Sequence, residues 1–294
     1  MNGYLKLNSV CASLPDQTPL LRNVSFEVEQ GTVHGLVGES GAGKSMIGKA
    51  LLGTLPRAVS LSQGNIQLDG VSLQNLDLKA RRRWIGKNTA LIPQDPLTAL
   101  NPSRRIGPQI TSKLIDILGW SKRNANMRAM MLLEEVGIPN PHRVIKSYPH
   151  ELSGGMRQRV LIAAAFAANP KLIVADEPTT ALDVTVQKQI LRLIRELQHQ
   201  HSTTILFVTH DLGVVAKICQ SLSVLYGGKV LETAKVEAFF QAPQHPYSSA
   251  LLEATPRYTH PEQSLKPVPS SVIQMTKLEV INGSKERNHD AKVV

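Results

Sequence analysis

The sequence predicts an α/β fold: a mixed sheet whose amino-terminal portion is antiparallel, with an α-helical subdomain inserted into it. Three observations lead there. Short apolar runs, "ALIP" (90–93), "KLIVAD" (171–176) and "TILFVTH" (204–210), read as buried strands. Each leads into a polar residue at its carboxyl end, where open α/β sheets place their ligands. A glycine-rich loop, "GESGAGKS" (38–45), joins another apolar run to a helical pattern, and residues from about 95 to 165 carry helical periodicity instead of strand alternation.

In chain order, "VSFEVEQG" (24–31) alternates apolar and polar residues as a half-buried strand does, and "VHGLVG" (33–38) is the apolar run that feeds the glycine loop. "MIGKALLGTL" (46–55) has helical spacing, and "NIQLDGVSL" (65–73) reads as a hairpin turning at Asp69-Gly70. Inside the insertion, "IGPQITSKLIDIL" (106–118) and "NMRAMMLLEEVGI" (126–138) are helical patterns separated by Gly, Pro and Asn. "SVLYGGKVLET" (223–233) has the form of a closing hairpin. Residues 1–256 are therefore expected to form one domain with the helical insertion at about 95–165. From 257 to 294 the chain turns polar, Pro-rich and basic with little periodicity, which predicts a loosely packed or disordered extension.

The chain has 294 residues, enough for a full core, and Lys+Arg exceeds Asp+Glu by 33 to 23. That excess suits an anionic partner but does not choose among nucleotide, nucleic acid and membrane surface. Cys11 and Cys219 lie far apart with no C-x-x-C spacing, which argues against a metal site or disulfide framework and fits a reducing cytosol. The longest apolar run, around "VLIAAAFAA" (160–168), is too short to cross a bilayer, so the expectation is a soluble chain.

"GESGAGKS" matches G-x-x-x-x-G-K-[ST] between a predicted strand and helix, the context that gives the motif its meaning and the core a P-loop NTPase character. Gly38, Gly41 and Gly43 let the backbone of the loop, with Glu39, Ser40 and Ala42, wrap closely so that its N–H groups point at phosphate oxygens. Lys44 places an ammonium between the β- and γ-phosphates, and the Ser45 hydroxyl can ligate Mg²⁺. In "LIVADEP" (172–178), Asp176 ends a buried strand and can hold the Mg²⁺ through a water, while Glu177 can polarise a water for attack on the γ-phosphate. Gln94 and His210 follow strands that are expected to neighbour the phosphate strand. Taken singly, such residues are more often plain surface. Here Gln94 can sense Mg²⁺ or the attacking water, and His210 can contact the transferring phosphoryl group.

A second glycine turn, Ser153-Gly154-Gly155 in "ELSGGMRQR" (151–159), also opens a helix and is a second anion site. One γ-phosphate needs one cradle, so this turn is expected to close over a nucleotide held by another molecule. Two chains head to tail would then sandwich two nucleotides, with "TALD" (180–183) at the interface and Asp183 linking the sites.

The phosphate loop, Gln94, "LSGGM", "LIVADEP", "TALD" and "VTHD", in that order, resemble the ATP-binding cassette (ABC) ATPases over about residues 3–256. Within them, "QDPLTALNPSRRIGPQI" (94–110), "ELSGGMRQRVLIA" (151–163) and "HPYSSALLEATP" (245–256) resemble the oligopeptide/dipeptide/nickel importer ATPases. The resemblance implies ATP and Mg²⁺ as cofactors and a peripheral subunit on the cytoplasmic face of the cell membrane. Its implied partners are transmembrane permease subunits and a second ATPase subunit, with an extracytoplasmic solute-binding protein engaged indirectly and no nucleic acid. The expected solute is a peptide, with nickel or a metal chelate as the alternative. Three departures stand out: Met156 where many cassettes have Gln, no aromatic in "VCASL" (10–14) to stack on adenine with Tyr4 too early to serve, and no cysteine in 257–294 for an iron–sulfur cluster. The rival reading is a soluble cassette acting on nucleic acid or ribosomes. It is opposed by the 109 positions between Lys44 and Ser153, which hold no sustained heptad, and by the presence of one cassette where translation factors carry two. "KARRRW" (79–84) reads as a solvated helix face.

Overall fold

The computed structural model describes residues 3–180, 182–255 and 267–290, with side chains described to residue 282. By contacts the chain divides into two units. The first comprises Met1–Glu29, Val33–Leu73 and Val208–Val294, as far as these are described, and the second Gln30–Thr32 and Gln74–Phe207.

The first unit opens with β1 (Leu5–Ser13), β2 (Pro19–Val28) and β3 (Val33–Val37), then α1 (Lys44–Leu52), β4 (Ser60–Leu68) and the short β5 (Val71–Ser72). β1 lies between β2 and β4 and is antiparallel to both; Leu5 and Leu7, then Val10 and Ala12, face the core, with a register shift between Leu7 and Val10 that breaks the alternation. The predicted β4–β5 hairpin turns at Asp69 and Gly70, both with positive φ (51° and 74°), as a two-residue turn requires. β3 is buried along its whole length, the mark of a strand covered on both faces. His34 on β3 is fully buried, stacks on Phe26 with ring centroids 5.1 Å apart, and places its two ring nitrogens 2.8 Å and 2.9 Å from the hydroxyls of Ser221 and Ser223.

The second unit holds α2 (Leu78–Asn88), β6 (Thr89–Ile92), α3 (Pro96–Ala99), α4 (Ile106–Ser112) continued by a π-helical turn, α5 (Lys122–Glu135), α6 (Pro141–Val144), α7 (Gly154–Phe166), β7 (Leu172–Asp176), α8 (Val184–His201) and β8 (Thr204–Thr209). The unit boundary falls inside β8, after Phe207. Its strands run in the order β8-β7-β6, with β6 and β7 parallel. The basic run 79–84 lies on α2, with Lys79, Arg82 and Arg83 exposed as expected of a solvated face. Helices α3 to α7 occupy the predicted insertion, and α4, α5 and α7 bury Ile106, Ile110, Ala125, Ala129, Leu132, Val160 and Phe166. In the π-helical turn, Lys113 donates to the carbonyl of Thr89 at the start of β6 (2.7 Å), and burial pulls its ammonium down to about 8. His199 and His201 close α8, the helix end read from the sequence.

The first unit resumes with α9 (Leu212–Ile218), β9 (Ser221–Tyr226), β10 (Lys229–Lys235), α10 (Val236–Gln241), α11 (Pro246–Glu253) and α12 (Ser270–Asp290). β9 and β10 form the predicted hairpin, and β9 pairs with β3 in parallel. Where the sequence predicts a loosely packed or disordered extension, residues 270–290 form α12, which buries Thr276 and Val280. Residues 256–266 and 291–294 lie outside the described residues. Both cysteines are free: Cys219 is buried, and burial pushes its thiol up, while half-buried Cys11 accepts from the Asn23 N–H at 3.2 Å. Among the described residues no helix is long and apolar enough to cross a membrane.

Candidate active site

In the first unit, the loop from Gly38 to Gly43 joins β3 to α1. A side chain at Gly38 would put its Cβ 2.2 Å from the Leu225 carbonyl oxygen, so only glycine fits there. Gly43 stands at the N-cap of α1 with φ 103°, a backbone that disfavours any other residue, and at Gly41 the loop opens into space. Gly43 has no side chain with which to cap α1, the arrangement in which helix amino termini take up phosphate. Lys44 is 5% exposed, and its Nζ donates to the carbonyls of Gly38 (2.7 Å) and Glu39 (2.9 Å), which holds the ammonium against the loop. A cradle that a Cβ would block, a buried lysine and a helix amino terminus fit a nucleoside triphosphate. Ser45 is the second residue of α1. His210, also in this unit, follows β8, and Asp211 after it caps α9 by accepting from the N–H groups of Gly213 (2.7 Å) and Val214 (3.3 Å).

The second unit carries the acidic pair. Asp176 ends β7 and Glu177 follows it with φ 47°, a left-handed backbone rare for a residue with a side chain and costing on the order of 1 kcal/mol or more. Glu177 Oε2 accepts from Gln94 Nε2 at 3.3 Å and from the Thr180 hydroxyl at 3.0 Å. The strand before Gln94, β6, pairs with β7, which carries the acidic pair, and not with the phosphate strand as the sequence reading expected. Asp176 and Gln94 offer oxygen donors of the kind that Mg²⁺ selects, and in the first unit Ser45 offers a hydroxyl of the same kind.

Ser153 caps α7, its hydroxyl accepting from the Met156 N–H at 3.4 Å, and Gly154 and Gly155 are the first residues of that helix. Asp183 caps α8, accepting from the N–H groups of Thr185 (3.0 Å) and Val186 (2.9 Å), a local role that the sequence reading did not assign. Gln158, buried on α7, donates to the Pro178 carbonyl at 2.8 Å and so braces the turn that carries Glu177. Sequence reasoning missed this brace because Arg157 and Arg159 flank Gln158 and make it look like part of a polar face. The left-handed Glu177 had no signal either, since a glutamate does not advertise positive φ. β1 extends to Ser13 through residues 10–13, and Tyr4 precedes that strand, its phenol pushed up to about 12 by burial and Asp69.

Comparison with known proteins adds three findings. Residues 21–180 match the family described as ABC transporter, and residues 231–283 match the one described as Oligopeptide/dipeptide transporter, C-terminal region. The chain is 44% identical over 259 residues to the Probable D,D-dipeptide transport ATP-binding protein DdpD of Escherichia coli (strain K12), across 88% of this chain and 79% of that protein. It is 45% identical over 258 residues to the Oligopeptide transport ATP-binding protein OppD of Bacillus subtilis (strain 168), across 87% and 72% respectively. Among solved structures, the ATP-binding cassette MJ0796 in its dimeric post-hydrolysis state, bound to ADP and Pi, is similar with a TM-score of 0.69 at 26% identity, over 79% of this chain and 98% of that one.

Proposed function

The chain belongs to the ABC transporter family, and from that premise we propose that it is the ATP-hydrolysing subunit that powers a peptide importer. The observation that carries the reading is the glycine cradle around Lys44, shaped for phosphates and set in a chain whose relatives are named for dipeptide and oligopeptide transport. Those names favour a peptide over nickel or a metal chelate.

In this reading Gly38 to Ser45 hold the phosphates of ATP, and Ser45, Asp176 and Gln94 hold Mg²⁺. When bound, the metal supplies charge neutralisation for the phosphates. Glu177 accepts a proton from the attacking water, and its brace by Gln94 and Thr180 fixes the direction in which its carboxylate points. Lys44 and His210 meet charge that develops on the phosphoryl oxygens. Ser153, Gly154 and Gly155 of a second ATPase subunit close over the nucleotide, with Asp183 at the contact. ATP binding thus favours a closed dimer and hydrolysis reopens it. The subunit works from the cytoplasmic face of the membrane, where permease subunits carry the peptide and a solute-binding protein outside supplies it.

Glu177→Gln tests the assignment. The variant is expected to bind ATP, to lose roughly 10²-fold or more of its turnover, and to accumulate ATP-bound dimers on size exclusion. Wild-type turnover in that variant would remove Glu177 from the catalytic role.

A further inference from the structure

Within the second unit, two segments distant in sequence meet at one cavity. The Ile106 N–H at the start of α4 donates to the Ser147 carbonyl at 2.9 Å, and the next N–H, of Gly107, donates to the Ile145 carbonyl at 2.8 Å. This pairing sets Arg105 against the segment that runs from α6 towards Ser153. Arg105, Arg143, Lys146, Tyr148, His150 and Glu151 line a cavity of about 480 Å³ there. Buried Val144 and Pro149 root the same segment in the unit.

Side-chain contacts fix part of the wall. The Tyr148 and His150 rings stack with centroids 5.7 Å apart and planes 11° apart. The Arg105 guanidinium lies 5.7 Å from the centroid of the Tyr148 ring, within cation–π range. The charge on this wall is one-sided. Arg105, Arg143 and Lys146 are cations, and among the described residues no carboxylate forms an ion pair with any of them. Glu151 is the one carboxylate on the wall, and its Oε2 accepts from the Tyr148 N–H at 2.6 Å.

Like charges that a fold keeps together repel, and a bound anion removes that repulsion. On an open helix face such side chains swing apart into solvent. Here the paired backbone segments and the stacked ring keep Arg105 on the same concave wall as the other two cations. A phosphate group suits the wall better than a carboxylate does. Its oxygens point in several directions, so donors on separate side chains meet it at once, whereas a carboxylate presents two oxygens in one plane and a single arginine satisfies it.

We propose that the cavity walled by Arg105, Arg143, Lys146 and the Tyr148–His150 stack is a binding site for a phosphate group, carried either by free phosphate or by the headgroup of an anionic phospholipid. The two arginines supply paired N–H donors and Lys146 a point charge. No residue of the Gly38–Ser45 loop belongs to this unit, and the site stands whether or not that loop takes ATP.

The experiment uses the full-length chain carrying Lys44→Ala, so that phosphate uptake at the glycine loop does not enter, and is repeated on the wild-type chain saturated with ADP. Calorimetric titration with inorganic phosphate forms one arm. Co-sedimentation with phosphatidylcholine vesicles that contain or lack phosphatidylglycerol forms the other. Saturable binding is expected: in the first arm alone it identifies the free ion, in the second alone the headgroup, and in both the phosphate group itself. Arg143→Gln should weaken binding about tenfold, the worth of one charge-assisted hydrogen bond, and Arg143→Lys should weaken it less. Arg105→Gln, Arg143→Gln and Lys146→Gln together should abolish it at an unchanged Tm. Lys79→Gln, Arg82→Gln and Arg83→Gln on the exposed face of α2 remove the same charge and should leave binding intact. An equal loss in that control shows attraction to net charge alone and overturns the proposal. So does the absence of binding in both arms, or tighter binding of poly-glutamate than of phosphate.

Discussion

His34 lies on the strand that feeds the phosphate loop, and its burial between Phe26 and two serine hydroxyls pushes its imidazole down to about 3 from 6.5. The folded pKa is below the unfolded one, so this histidine contributes stability above pH 6.5 and loses it as the pH falls from 6.5 towards 3. The contribution falls by about 1.4 kcal/mol per pH unit across that window. Urea unfolding at pH 7 and pH 5.5 is expected to show a larger loss for the wild type than for His34→Asn, and equal losses would show that His34 titrates normally. His34 itself was not legible in the sequence, because its serines arrive from β9, about 187 positions away. Positions written in local spacing, such as Lys44 and Ser45 at the start of α1 and Asp176 at the end of β7, were legible. Those defined by a distant partner, such as Gln158 under Pro178 and Tyr247 beside Tyr226, were not.

At the scale of elements, local signals were good guides wherever a motif and a period coincided. The glycine loop between β3 and α1, the Asp69-Gly70 turn and the β9–β10 hairpin follow from chemistry contained within a few residues. α12 escaped because, among its described residues, Val280 is the one buried apolar side chain, with Thr276 buried beside Met275 and Leu278 that stay exposed (65% and 59%), so its sequence shows no single apolar stripe. Asp183 illustrates two roles at one helix start, a cap for α8 and a proposed contact to nucleotide in a dimer. Asp183→Ala should cost about 1 kcal/mol of stability through the lost cap. Asp183→Asn keeps a capping oxygen and should retain the wild-type Tm while lowering ATPase activity. If Asp183→Asn is fully active, Asp183 serves the helix alone.

For the whole molecule, the chain supplies one phosphate loop in its first unit and one Ser153-Gly154-Gly155 turn in its second. A chain that works with a second cassette should hydrolyse more ATP per molecule as its concentration rises, until dimers saturate. A specific activity that is flat from nanomolar to micromolar protein would rule out a shared site. Division into two units was legible only in part: the helical insertion at about 95–165 showed in its period, but the unit that contains it also takes in β6, β7 and most of β8, because strands join by pairing that single-strand patterns do not encode. The thiols carry a practical consequence. Cys219 is sealed in the core and Cys11 is engaged with the Asn23 N–H, so new cysteines on the surface, one in each unit, would take up maleimide dyes ahead of Cys219. Energy transfer between a donor and an acceptor dye so placed would let single molecules be watched as they turn over ATP.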